Sequence, residues 1–310
     1  MTIGVGDEHN TSAESDVMPA AVSVVVPTLN EAAGIGALLE SLHTQTYSVG
    51  EIVIADGGST DGTREIVASD PNVTLVDNPR RHAAAGRNIA LKSCTGDWVL
   101  FTDGDCRPER TWAEKLMAIP SSDPEVIGVG GRVAAQPSSV FERICARTLF
   151  GAVLRHEAGS RPVVAKSLDG ALVTANCAYR REILIRVGGF DERFSNFGED
   201  IDLMFRVLDL GAGKLQHTAD ALVIGAMPAT LTATVMKWRQ YGLASSHLNK
   251  YHYRRVSFDA SLYRGLFHLL RDAATTSSET RTEALVGAAQ LASHIGGKLE
   301  GSVRLRTINL

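Results

Sequence analysis

Apolar positions along this chain recur with two periods in turn, and their alternation lays out an α/β fold. Val22-Ser23-Val24-Val25-Val26 is a short β-branched run ended by Pro27, as expected of a strand buried on both faces of a parallel sheet. From Glu31 to His43 the period lengthens. Ile35, Leu38, Leu39 and Leu42 recur at spacings of three and four, which places them on one face of a helix lying on that sheet. A strand over Glu51 to Ala55, a Gly/Ser/Asp turn at Asp56 to Gly62, a helix through Val67 and a strand over Val73 to Val76 repeat the unit. Pro79 interrupts the chain, Ala83 to Lys92 is a strong helix former, and Asp97 to Thr102 is an apolar strand running into Asp103-Gly104-Asp105.

Strands alternating with helices imply a mostly parallel sheet with right-handed crossovers. Past Pro108 the pattern predicts a helix to Ile119, a strand over Val126 to Ala134 and a helical, aromatic-bearing stretch from Val140 to Leu154. A strand is expected at Ala171 to Thr174. Helices follow over Arg180 to Val187 and Glu199 to Leu210, parted by the loop Gly188-Gly189-Phe190-Asp191-Glu192. From Leu231 onward the chain reads as helical, with a Ser/Thr break at Thr275 to Thr282. The expected organisation is an α/β domain over 21–230 and a helical C-terminal appendage over 231–310.

Composition narrows the classes. A chain of 310 residues that is 44% hydrophobic can bury a substantial core. A formal net charge of -4 and a pI near 6.1 give no positive field for nucleic acid, which is not expected as a partner. Cys94, Cys106, Cys145 and Cys177 lack C-x-x-C spacing, so neither a zinc site nor a disulfide framework is expected. No window reaches the roughly 20 uninterrupted apolar residues of a membrane span. Met1 to Ala20 is acidic and polar, without the apolar centre of a signal peptide, and reads as a disordered leader. These features suit a cytoplasmic location.

Three polar clusters, at Pro27 to Glu31, Asp56 to Asp61 and Asp103 to Asp105, fall at carboxyl ends of predicted strands, where α/β sheets bind ligands. Asp103 and Asp105 offer hard oxygen ligands two residues apart, suited to magnesium or manganese bound together with substrate phosphates. A calcium loop is excluded because Arg107 and Pro108 would occupy its third ligand and glycine positions. Two solvated turn aspartates remain the alternative if the motif is taken alone. Small residues after Asp56 leave room for a base or ribose whose donors its carboxylate accepts, while Ser59, Thr60 and Asp61 suit a helix cap. Arg87 is placed to meet a diphosphate, and Arg80 and Arg81 read as a solvated basic face. Glu199, Asp200 and Asp202 open a helix, where the dipole favours ionised carboxylates and one of them can act as a general base. Neither a dinucleotide fingerprint nor a Gly-Lys-Ser/Thr phosphate loop is present.

Together these segments resemble the family-2 glycosyltransferases with the GT-A fold, from about Val22 to about Gly242. The resemblance is carried by Val24 to Glu31, Asp56 to Thr63, Gly86-Arg87-Asn88, Phe101 to Asp105, and Val187 to Glu192 leading into Gly198 to Leu203. It implies that Pro27, Thr28, Glu31 and Asp56 hold the nucleoside of a nucleoside-diphosphate sugar, and that Arg87 and Asp103 position this donor. Asp105, with Asp103, would hold Mn2+ or Mg2+, and Asp200, with Glu199 beside it, would serve as base toward a hydroxyl acceptor in an inverting displacement. The chain departs from the family at Gly225, where relatives often carry a metal-contacting His. It departs again at Lys237 to Gly242, where processive synthases carry Gln-x-x-Arg-Trp; transfer of a single sugar is therefore expected. The basic and aromatic residues of 237–271 suit docking on anionic lipid headgroups near a lipid-linked acceptor, at the inner face of the membrane, or equally a solvated face over a buried aromatic stripe. A catalytically silent sugar-nucleotide-binding or scaffold protein is the competing reading.

Overall fold

The computed structural model describes residues 20–148, 161–163, 166, 171–195, 197–253, 259–276 and 278–309. At its centre lies β1 (Val22–Thr28), flanked in parallel by β2 (Glu51–Asp56) and β4 (Trp98–Phe101), with β3 (Val73–Asp77) parallel to β2 at the edge. Beyond β4 the sheet continues antiparallel through β8 (Cys177–Arg180) to β6 (Val126–Ala135). β6 then runs parallel to β9 (Lys214–Gly225), against which β5 (Arg107–Pro108) and β7 (Arg161–Val163) both pair antiparallel.

Side-chain alternation along β1 serves two cores. Val25 joins Phe101 and Tyr179 on one face, while Val24 and Val26 join Leu100 and Trp112 on the other. α1 (Ile35–His43), α2 (Thr63–Ala68) and α4 (Trp112–Ser122) cover the second face; α3 (Ala83–Ser93), α6 (Arg181–Arg186) and α7 (Glu199–Leu210) cover the first. The result is the GT-A arrangement: a mixed, mostly parallel sheet between helices, followed by C-terminal helices.

Two expectations need correction. The first helix begins at Ile35 and not at Glu31, because the amides of Asn30, Glu31 and Ala32 donate instead to Ser59, Thr63 and Asp61 side chains of the neighbouring loop. No strand forms at Ala171 to Thr174. The chain turns there, with the Asn176 amide N–H on Val173 O, and enters the sheet only at Cys177. Asn176 fixes that entry, donating to Arg132 O and Ala221 O and accepting from Trp112 Nε1. The stretch from Val140 is helical as α5 (Val140–Arg147), closed by a Ser139/Glu142 capping box; its expected continuation over 149–154, like the leader over 1–19, lies outside the described residues.

The C-terminal region comprises α8 (Leu231–Leu248), a π-helical turn (Asn249–Tyr253), α9 (Ala260–Thr275) and α10 (Ser278–Leu305). α8 and α10 approach to backbone contact: a Cβ at Gly297 would lie 2.0 Å from Arg239 O. Among the described residues, no helix is long and apolar enough to cross a membrane.

Candidate active site at the strand tips

The loops after β1 and β2 are stitched together before any ligand is considered. Asn30 sits in the left-handed region at φ 59°, its N–H donating to Ser59 Oγ and its Oδ1 accepting from Thr60 N. Ser59, Thr60 and Asp61 are the expected helix caps. Instead Gly62 precedes α2 without a side-chain cap, Asp61 accepts from Ala32 N and from Thr63, and Ser59 donates to Asp56. The Asp56 carboxylate is 1% exposed and accepts from Gly58 N, Ser59 N, Ser59 Oγ and Arg64. Burial alone would raise its pKa, but these donors outweigh burial and hold it below the usual range. Asp56 therefore shapes its own loop, with Thr28 Oγ1 3.5 Å away.

At the tip of β4, Gly104 separates the two aspartates where any side chain would crowd Glu31 and Thr28. A Cβ there would fall 2.9 Å from Glu31 Cγ and 3.1 Å from Thr28 Cγ2. Asp105 is exposed, and its carboxyl is raised by desolvation and by the charge of Asp103. Glu31 is pushed up to about 7 by desolvation and then by Asp105, Asp103 and Asp61. Such mutual repulsion is what a divalent cation relieves. Ligand atoms of Asp103, Asp105 and Cys106 lie within 4.8 Å of one another, so the carboxylates fit a hard cation. Burial keeps the Cys106 thiol protonated, and it donates to Asp105 Oδ1 at 3.6 Å, a supporting contact that the sequence did not single out. Gly225 lies beside it, with its Cβ position 3.9 Å from Cys106 Sγ.

Arg87 joins the distant motifs. Its guanidinium, 2% exposed, donates to Asp103 Oδ1 and Glu199 Oε1, each at 2.7 Å, and lies 5.6 Å from the centroid of the Phe190 ring. Both terminal nitrogens thus engage protein carboxylates, so the residue acts as a strut between the β4 tip and the start of α7. Asn88, next to it on α3, donates to Phe190 O and Glu192 Oε1 and accepts from Phe190 N, locking the loop that delivers α7. Arg80, expected on a solvated face, is exposed and pairs there with Glu192. Behind Glu199, Asp200 is half-buried, and desolvation together with Glu199 raises its carboxyl to about 7. A carboxyl near neutrality is suited to accepting a proton.

The C-terminal helices reach this site as well. Lys237 exerts a lowering influence on Asp105, and Tyr241 lies within electrostatic reach of Asp200, Asp103, Glu199 and Asp105. His252, in the π-helical turn, contacts the buried Asp202 at 2.7 Å, while Arg206 holds the other Asp202 oxygen. No local pattern points to Tyr241 or His252, because only packing brings α8 back over the sheet.

Glu31, Arg87, Asp103, Asp105, Glu199 and Asp200 thus gather in one cluster of charges at the strand tips. Thr28 lies beneath Gly104, Pro27 is half-buried at the end of β1, and Asp56 lies one strand away, turned into its loop.

A family model described as glycosyl transferase family 2 matches residues 23–188. The glycosyltransferase AglE of Haloferax volcanii is 30% identical over 246 residues, which cover 76% of each chain. The pre-mycofactocin glycosyltransferase of Mycobacterium tuberculosis is 31% identical over 210 residues; the match takes in 65% of this chain and 42% of that longer protein. The succinoglycan biosynthesis protein ExoA of Rhizobium meliloti is 33% identical over 198 residues, 59% of this chain and 57% of ExoA. Among solved structures, a Pyrobaculum calidifontis mannosyltransferase in complex with GDP-Man and Mn2+ shares the fold with a TM-score of 0.61 at 22% identity, over 92% of this chain and 88% of its own. Matched by the family model over more than half its length, and carrying the motifs as one cleft at the tips of a GT-A sheet, the chain belongs to glycosyltransferase family 2.

Proposed function

We propose that this enzyme transfers one sugar from a nucleoside-diphosphate sugar to a hydroxyl acceptor with inversion, Asp200 taking the acceptor proton. The observation that carries this reading is the Arg87 strut, which holds the donor-side Asp103 and the base-side Glu199–Asp200 pair across one cleft. Asp105 and Asp103 would hold Mn2+ or Mg2+, which when bound supplies neutralising charge to the departing diphosphate. Pro27, Thr28, Glu31 and the loop shaped by Asp56 would hold the nucleoside. Asp200 accepts the hydroxyl proton as the oxygen attacks the anomeric carbon on the face opposite the diphosphate, while Glu199 and Arg87 keep α7 in place. That ExoA is a succinoglycan biosynthesis protein supports a cell-envelope polysaccharide as the product class. The test is turnover of UDP-, GDP- and dTDP-sugars against lipid-linked and soluble acceptors with Mn2+. Transfer that is lost in Asp200→Asn is expected. Nucleotide binding without transfer on any acceptor would favour the silent-scaffold reading.

A second feature concerns the acceptor. On α9, Phe267 and Leu270 are 65% and 52% exposed beside exposed Arg264, His268 and Arg271. A helix that offers aromatic and aliphatic side chains among cations suits an anionic lipid surface. We therefore propose peripheral docking of α9 at the inner face of the membrane, bringing the cleft to a lipid-linked acceptor. Cosedimentation with vesicles containing phosphatidylglycerol, absent with phosphatidylcholine alone, is the expected result. Equal sedimentation with both would end this reading.

A further inference from the structure

The first turn of α7 is tied to the rest of the molecule at two points. Glu199 and Asp202, three residues apart, share one face of the helix, and Asp200 stands about 100° round the axis from Glu199. Arg87 holds Glu199 at 2.7 Å. Asp202, 2% exposed, is held from elsewhere: Arg206 donates from Nε to Oδ2 at 2.8 Å and from Nη1 to Val187 O, while Oδ1 faces Nε2 of His252 at 2.7 Å. The Asp202 carboxylate only accepts, so Nε2 is the imidazole nitrogen that donates the shared proton. Two ties stacked along one face fix the rotation of the helix about its axis, which one tie alone leaves free.

His252 owes its place to the π-helical turn at Asn249–Tyr253. Such a turn is wider than an α-helical one and is rare outside functional regions. Here it directs three successive rings toward α7 and the loop leading into it. Tyr251 meets Phe194 at 6.0 Å and lies 4.0 Å from the Arg193 guanidinium, and His252 and Tyr253 both meet Phe205 edge-on, at 5.1 and 6.0 Å. An unbroken α-helix would spread three successive side chains over about 200°. The imidazole, 8% exposed, is thus fixed by its ring contacts as well as by the carboxylate.

We propose that His252 is a positioning residue for the base: through Asp202 it sets the rotation of α7 that aims Asp200 at the acceptor hydroxyl. Asp200 as the base is the reading on which this rests. His252 itself takes no proton from the acceptor. Asp103 and Asp105 are delivered by β4 and do not share the tie, so loss of the imidazole should slow transfer and spare donor binding.

The test compares the wild type with His252→Phe, His252→Asn and His252→Gln. His252→Phe keeps a ring against Phe205 and loses the donor. His252→Gln puts an amide N–H close to where Nε2 stands, whereas His252→Asn, one methylene shorter, stops short of Asp202. The measurements are melting temperature, binding of UDP or GDP in Mn2+ by calorimetry, and kcat and KM with the donor and acceptor that the wild type turns over. His252→Phe and His252→Asn should lower kcat about tenfold, with diphosphate affinity and donor KM within about twofold. His252→Gln should restore kcat to within about threefold of the wild type. If His252→Phe does not fold, His252→Asn against His252→Gln decides, since both are amides that differ only in reach. Wild-type kcat in His252→Phe or His252→Asn would overturn the assignment, as would His252→Gln no faster than His252→Asn. So would a fall in diphosphate affinity as large as the fall in kcat, the mark of a loosened fold. A near-normal rate in Asp200→Asn, or a wild type that transfers to no acceptor, would instead overturn the reading of Asp200 as base, whatever the His252 variants do.

Discussion

The strand-tip loops and the C-terminal helices contribute to one cleft by opposite means. Around β1, β2 and β4 each chemical group sits within a few residues of the strand that delivers it, and local side-chain to backbone bonds set its direction: Asp61 to Ala32, Ser59 to Asn30, Asp56 to Gly58. In α8 and the π-helical turn nothing local points at the site. Tyr241 reaches Phe197 because α8 packs on Gly198, and His252 reaches α7 by pairing with Asp202. Local motifs therefore define the chemistry, and long-range packing completes the walls. Substitutions in the two regions should fail differently, the first through the reacting groups themselves and the second through stability or the placing of those groups.

The largest effect is expected at the tips. Asp200→Asn should lower turnover by about 100-fold or more at saturating donor, with the melting temperature preserved or raised, since a half-buried carboxylate pressed by Glu199 is replaced by a neutral amide. A near-normal rate would remove Asp200 as base. Next comes the strut between regions. Arg87→Met strands Asp103 and Glu199 without their cation and should cost about 3–5 kcal/mol in urea unfolding, as breaking a buried pair does. A loss under about 1 kcal/mol would mean that the strut is not structural.

Smaller effects probe the helix side. Gly198→Ala forces a positive φ on a residue with a Cβ and presses on Ala244; about 1–3 kcal/mol of destabilisation is expected by the same measurement. For pH, the sign follows from folded carboxyls raised to about 7 at Glu31 and Asp200. Their contribution to stability is complete below the ordinary carboxylate range and is lost as pH rises toward and through about 7. Metal-free protein should accordingly melt lower at pH 8 than at pH 5.5, and Mn2+ should recover more at pH 8. Turnover runs the other way, rising as Asp200 ionises. A flat melting profile and a flat rate profile would contradict the crowding of carboxylates. Least costly of all, Phe267→Ser with Leu270→Ser should leave stability within about 0.5 kcal/mol while abolishing vesicle binding, since both side chains face solvent.

Legibility in the sequence follows the same division. The Val-rich β1, the amphipathic α1 and the apolar β4 were readable because burial imposes a period on a short window. Gly104 and Asp103–Asp105 were readable because a strand tip and a tight approach leave few residue types that fit. The start of α1 was misplaced because Asn30, Glu31 and Ala32 give their amides to a loop brought close only by the sheet. Residues 171–174 looked like a strand because Ala171 and Leu172 are buried, yet Asn176 turns the chain there. Arg87 was readable as a candidate for the diphosphate, but not its pairing with Asp103 and with Glu199, the latter far along the chain.

In the proposed site, carboxylates from separate strand tips share one cation with a diphosphate, and calorimetric titration of UDP or GDP in the presence and absence of Mn2+ tests this most directly. Binding that requires Mn2+ in the wild type and is lost in Asp105→Ala, with folding intact, is the result predicted. Diphosphate binding that is indifferent to Mn2+, or unchanged in Asp105→Ala, would contradict it.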